Sequence, residues 1–244
     1  MNSAFLALWN DYPAAMTEEY EAWHTFEHVP ERLTAPGLRA ARRYGGGAEG
    51  EQRYFTLYEL QDLTAVEHPA YMDLVRNPSV WSQKMRRHFS NVLRIPASTV
   101  AAGGHGIGSH ALIQAYSVDR SRAPAGISGL DKALRNMVSD ARILGFRIGR
   151  AEPNQLYEVF TQDDETDADT FNIVLIIEAT SRRRLAVSRP AISGMAQDML
   201  QPRKCLRDNL FDLLVAYQDG EFPSDRSQVT ASKTLRLQFD GMDP

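Results

Sequence analysis

The residues best suited to chemistry lie between Trp23 and Tyr44, in the stretch WHTFEHVPERLTAPGLRAARRY. His24 and His28 are four residues apart, so a helix puts them on one face. The near-neutral intrinsic pKa of an imidazole makes His28, close to the end of that helix, a candidate general acid or base. The plainer reading of His28 is a contact with the last helical carbonyls, and that of His24 is a solvated helix face. Arg42 and Tyr44 are two apart on the strand that follows, so they share a face and Arg43 takes the other. Arg42 could hold a carboxylate bidentately and Tyr44 could donate to a carbonyl; cross-strand pairing and edge packing are the plainer alternatives. H-T-F-E-H also matches H-x-x-E-H, the inverted zinc-protease spacing. A catalytic zinc wants a third protein ligand, which the sequence does not identify, so no metal is assigned.

These residues need a helix and a strand to position them. Phe5 to Asn10 reads as a buried strand, and Met16 to Leu33 as a helix with Ala22, Phe26, Val29 and Leu33 on one face. Pro36-Gly37 ends the helix, and Leu38 to Tyr44 is the next strand. Tyr54 to Leu60 (YFTLYEL) is a strand of alternating faces. A helix broken near Asn77-Pro78 spans Ala65 to Phe89, and Asn91 to Val100 returns as a strand. Trp81 reads as packing and His88 as surface.

The Gly-rich AAGGHGIGS stretch suits a linker and lacks a phosphate-loop spacing. Beyond it the pattern recurs. Strands are expected at Ala111 to Val118, Phe146 to Arg150, Phe171 to Ala179 and Leu210 to Tyr217, and helices at Leu130 to Leu144 and Arg182 to Leu200. Gln155 to Gln162 reads as a further strand or hairpin arm, and the acidic run Asp163 to Asp169 as a loop. Each half is thus β-α-β-β-α-β, the ferredoxin-like unit. The expected division is 1–101 for the first repeat, 102–109 for the linker, 110–220 for a degenerate second repeat and 221–244 for a polar tail, with one more strand at Thr234 to Phe239.

The overall fold class expected is α+β, two such repeats with their antiparallel sheets packed face to face as an α/β barrel. Phe55 and Leu57 are assigned to the helices. Tyr54, Thr56 and Tyr58, with Phe5 and Trp9, would then line the space between the sheets as an aromatic small-molecule wall. Trp23 reads first as core. With 43% hydrophobic and 24% charged residues the 244-residue chain can fill a core, and a net charge of -4 gives no reason to expect nucleic acid. Arg182, Arg183 and Arg184 read as a solvated helix start. Cys205 is the single cysteine, so no internal disulfide forms, and no stretch approaches a membrane span; a cytoplasmic location is expected.

The first half resembles the EthD-like branch of the dimeric α/β-barrel superfamily, through Trp23, EHVP from Glu27 to Pro30, APGLRAARRY from Ala35 to Tyr44, and YFTLYEL. The likeness covers residues 4–100 by residue pattern and the second half by element order alone. It implies a small cofactor-free enzyme acting on aromatic-derived or polyketide-like compounds: a monooxygenase, a cyclase or an isomerase. In isomerase-like members a His near this helix end and a Tyr on the next strand face the cavity, positions that His28 and Tyr44 match; no match to the isomerase cysteines is evident. Other branches bind haem through a proximal His. The expectation is general acid–base catalysis of isomerisation, cyclisation, elimination or oxygenation, with His28 and Tyr44 catalytic. Arg42, Trp9, Tyr54, Tyr58, Trp23 and His24 would contact the substrate, and no cofactor is expected. The rival is a binding or interaction protein that kept the barrel and lost the chemistry. The halves would form an intrachain pseudo-dimer, with a true homodimer left open.

Overall fold

The computed structural model describes residues 4–46, 53–152, 159 and 167–239 of the chain. Its centre is a closed antiparallel barrel of eight strands. The first half contributes β1 (Ala4–Asp11), β2 (Leu38–Gly46), β3 (Tyr54–Leu60) and β4 (Ser90–Gly104); the second contributes β5 (His110–Asp119), β6 (Gly145–Ala151), β7 (Thr170–Ala179) and β8 (Lys204–Tyr217). Around the barrel the order is β1-β3-β2-β8-β5-β7-β6-β4. The halves therefore meet along two seams, β2 with β8 and β4 with β6. Closure pairs every strand on both sides and removes the unpaired edges that each four-stranded sheet would present alone.

Helices cover the outside. In the first half, α1 (Thr17–Trp23), α2 (Val29–Leu33), α3 (Pro69–Arg76) and α4 (Val80–Arg86) do so; in the second, α5 (Ala123–Ser139) and α6 (Arg182–Leu200). The second half is the drier of the two. Leu130 and Leu134 of α5, with Leu185 and Ile192 of α6, pack on Leu112, Ile173, Leu175 and Ile177 of the sheet. Along its middle, Ile173–Ile177, β7 is apolar on both faces because one face meets those helices and the other the barrel interior. At the Pro36-Gly37 turn the chain needs glycine: Gly37 has φ +86°, and a Cβ there would come within 2.7 Å of the Ala65 Cβ.

The barrel interior is filled by its own side chains. Phe5, Trp9, Tyr44, Phe55, Leu57, Leu93, Ile113 and Phe211 form a closed cluster there. Trp9 and Phe55 ring centroids lie 4.8 Å apart, and Phe55 and Phe211 5.8 Å apart. This reverses the face assignment expected for β3. Trp9 stands directly opposite Phe55 across the β1–β3 pair, and Ala7 opposite Leu57. Opposed residues share a face, so Phe55 and Leu57 go inside with Trp9, and Tyr54, Thr56 and Tyr58 go outside under the helices.

Three further expectations change. Residues 102–104 are not linker: β4 continues to Gly104, with Ala102, Gly103 and Gly104 opposite Arg147, Phe146 and Gly145 on β6. That extension lengthens one of the two seams between the halves, the β4–β6 pairing that begins at Ser98. The segment at Lys233–Leu237 is a short helix, α7, rather than a strand. Ser232 caps it by accepting from the Leu235 amide, and Ala231 before it is buried against Trp23 and Trp81. Apart from residue 159, the expected strand at 155–162 lies outside the described residues, as does most of the acidic run; Asp167, within the described part of that run, pairs with Arg203.

Candidate active site

Between α1 and α2 the helix widens into one π-turn, His24–His28. Pro30 supplies a local reason. In a regular helix its ring would press on the Phe26 carbonyl, and it has no N–H to offer. The Val29 amide donates to the His24 carbonyl, five residues back, instead of to Thr25. The released Thr25 carbonyl accepts from the Tyr217 hydroxyl of β8 at 2.7 Å. Arg43 pins the same turn from β2: its buried guanidinium donates to the Thr25 hydroxyl and, at 2.9 Å, to Glu21. Such turns recur at functional sites, and here one turns both histidines toward the sheet.

His24 is buried, which corrects the solvated reading, and His28 is half-buried. Their ring centroids are 5.0 Å apart; Tyr20 lies 5.1 Å from His24, and Trp23 4.5 Å from His28. Both line an enclosed cavity between helices and sheet, with Arg32, Tyr58, Tyr71 and Arg86 as its other polar walls and Leu6, Leu8 and Phe89 among its apolar ones. Its volume is about 30 Å³, room for roughly two water molecules at about 10–15 Å³ each. The Nδ1 atoms of His24 and His28 and Nη1 of Arg32 are buried there without a hydrogen-bond partner. Burial, reinforced by Arg43 and Arg32 for His24, and by Arg32, His24, Arg86 and Arg43 for His28, holds both imidazoles well below their usual pKa. They are neutral bases at neutral pH. Burial pushes the Tyr58 hydroxyl up, so it stays a donor. Arg86 is engaged with the Val75 and Leu74 carbonyls of α3.

The carboxylates of the same helix are engaged away from the cavity. Glu27 accepts from the Ser79 hydroxyl that caps α4, and Glu31 accepts from Arg226 at 2.6 Å. Glu27 therefore does not join His24 and His28, and among the described residues no group of three or more His, Cys, Asp or Glu side chains converges. Nor, among the described residues, does this cavity or its counterpart in the second half fit a haem. The histidine cavity is far too small, and in the second half the leucines and isoleucines of α5 and α6, neither of which carries a His, fill the matching interface.

The sheet separates the residues that the sequence had grouped together. His24, His28, Trp23, Tyr54 and Tyr58 lie on its helix side; Trp9, Arg42 and Tyr44 lie in the barrel. Trp23 is core, its indole donating to Ser82. Tyr54 packs on Tyr20 at 4.5 Å and its hydroxyl is pushed up to about 12, chiefly by burial. Tyr44 donates to Glu178 at 3.2 Å, and Arg42 bonds Glu59 at 3.0 Å and Glu178 at 3.3 Å. Arg32 was missed, although its spacing from His24 and His28, eight and four residues, places it on their helix face. Tyr71 and Arg86 carry no comparable signal, because only the packing of α3 and α4 on β1 and β3 brings them in.

The architecture is the dimeric α/β-barrel fold, α+β with a closed eight-stranded antiparallel barrel built from two ferredoxin-like halves. An anthrone oxidase-like protein superposes with a TM-score of 0.66 at 8% identity, covering 92% of this chain and 96% of that one. A protein provisionally described as a monooxygenase, from Lactobacillus acidophilus NCFM, gives 0.51 at 8% identity, covering 90% and 98%. At such identities the likeness concerns the fold alone. No protein-family profile and no curated protein matches the sequence. Among the described residues no helix is long and apolar enough to cross a membrane.

Proposed function

We propose that this chain is a cytoplasmic, cofactor-independent enzyme of EthD-like type, with halves that are diverged copies of one unit. It performs general acid–base chemistry on a small aromatic-derived or polyketide-like compound in the helix–sheet cavity. One observation carries this reading: two neutral imidazoles and a guanidinium, each with an unpartnered buried nitrogen, face one enclosed space. Buried polar groups without partners are rare and call for a ligand or water. His28 takes a proton from a carbon next to a carbonyl, or from a phenol, and becomes imidazolium. Arg32 stabilises the enolate or phenolate oxygen that forms. Returning the proton to a different carbon completes an isomerisation; attack by the enolate carbon on a second carbonyl, whose alkoxide then takes the proton back from His28, completes a cyclisation. Tyr58 takes the donor role for which the sequence had put forward Tyr44. His24 contacts the substrate beside His28.

A cavity of about 30 Å³ admits such a compound only when Phe89 and neighbouring side chains move, since ligand sites usually measure roughly 300–1,000 Å³. The barrel filled by its own side chains favours the second reading, a binding or interaction protein that kept the fold. A thermal-shift and turnover screen with phenolic acids, lactones and polyketide-like aromatics separates the two. Native-state binding raises the midpoint by mass action. The enzyme reading expects a ligand that wild type converts, that His28→Ala binds without converting, and that Arg32→Met converts roughly a hundredfold more slowly. Binding without conversion by wild type gives the site to a carrier, and full turnover by His28→Ala overturns the proposed base.

A further inference from the structure

The Arg42 and Tyr44 side of the sheet holds a second cleft, at one mouth of the barrel, with a volume of about 250 Å³. Leu57 and Ile176 floor it, the top of the filled interior. Gly103, Gly104 and Phe146 rim it, and Arg42, Arg147 and Glu178 project into it. Behind them Glu59 accepts from both arginines.

The two halves supply these charges from matching places. Arg42 on β2 stands opposite Leu57 on β3, two residues before Glu59. Arg147 on β6 stands opposite Ile176 on β7, two residues before Glu178. The pairs then cross the barrel, with Arg42 bonding both Glu59 and Glu178, and Arg147 bonding Glu59. Two arginines and two glutamates sum to zero charge. Ionic groups this far out of water persist only when balanced, so a purely anionic or cationic guest would leave one charge uncompensated. A zwitterion would not. The contacts to Glu178 are also the loosest of the set, 3.3 Å from Arg42 and 3.2 Å from Tyr44, against about 2.7–2.9 Å for tight charge-assisted bonds. Of the two carboxylates, Glu178 is the one that lines the cleft and can meet an incoming cation. Each guanidinium carries five donors, more than the two glutamates occupy.

We propose that this mouth is a binding site for a small zwitterion of the α-amino acid type, separate from the helix–sheet cavity. The guest's carboxylate spans Arg42 and Arg147, its ammonium meets Glu178, and its apolar side chain rests on Leu57 and Ile176.

Isothermal titration of the full chain with L-leucine, 4-methylpentanoate and L-leucinamide tests this. L-leucine is expected to bind saturably at one site. The acid without the ammonium and the amide without the carboxylate should each bind at least tenfold more weakly, as each loses a charge-assisted contact. Glu178→Gln should weaken L-leucine by a similar factor while tightening 4-methylpentanoate, because it leaves the two arginines with one uncompensated positive charge, and His28→Ala should leave L-leucine binding as in wild type. If Glu178→Gln does not fold, the three compounds on wild type decide the matter alone. No saturable heat with L-leucine up to about 10 mM overturns the proposal. So does equal binding of either analogue, or loss of L-leucine binding in His28→Ala.

Discussion

Acidification should cost this protein stability through His24 and His28 specifically. Both imidazoles are held well below their ordinary pKa, by burial first and by neighbouring arginines second. In the unfolded chain each returns to about 6.5. Below that pH the unfolded state binds protons that the folded state does not, so stability falls as pH drops from about 6.5 toward the folded pKa values. With both rings still neutral in the folded state, going from about pH 7 to about pH 5.5 costs on the order of 1 kcal/mol per ring, or about 2–3 kcal/mol together. Carboxylates and the other histidines titrate as well, so the measurement is a difference. Urea unfolding at the two pH values is compared between wild type and the His24→Gln/His28→Gln double variant. Wild type should lose about 2–3 kcal/mol more than the variant. A difference below about 0.5 kcal/mol, or one of opposite sign, would mean that the rings take up protons in the folded protein. The neutral base on which the proposed chemistry depends would then be absent.

Three other expectations concern the surroundings of the site. Arg226→Ala leaves the buried Glu31 carboxylate without its ion-pair partner and should cost about 2–4 kcal/mol in urea unfolding; adding Glu31→Gln should restore more than half, the signature of a stranded charge. Tyr217→Phe removes the donor to the Thr25 carbonyl that the π-turn releases; a loss of about 1–3 kcal/mol is expected, and no loss would show that the turn does not need β8. Gly149→Ala pushes a methyl to within 2.3 Å of Phe5 Cζ and 2.9 Å of Ala97 Cβ. It should destabilise by about 1–3 kcal/mol through overpacking, whereas a neutral result would mean the barrel interior is looser than described.

Local rules acting on the sequence alone determined the elements and their order. Period-two alternation put Arg42 and Tyr44 on one face and Arg43 on the other, and the structure keeps that division: Arg42 and Tyr44 reach Glu178 inside the barrel while Arg43 reaches Glu21 under the helices. The Pro36-Gly37 turn and the break before Pro78 were legible because proline and glycine act through their own backbone. Alternation also separated Tyr54 and Tyr58 from Phe55 and Leu57, yet it carries no sign. When both faces of a strand are buried and aromatic, only the register with a neighbour says which is inside, and the pairing of Trp9 with Phe55 decided it. That one choice moved His28 and Tyr44 to opposite sides of the sheet. The π-turn, the burial of His24 and the convergence of Arg42, Arg147, Glu59 and Glu178 likewise depend on contacts between residues up to 192 positions apart. No local spacing encodes such contacts, because they form only when the barrel closes.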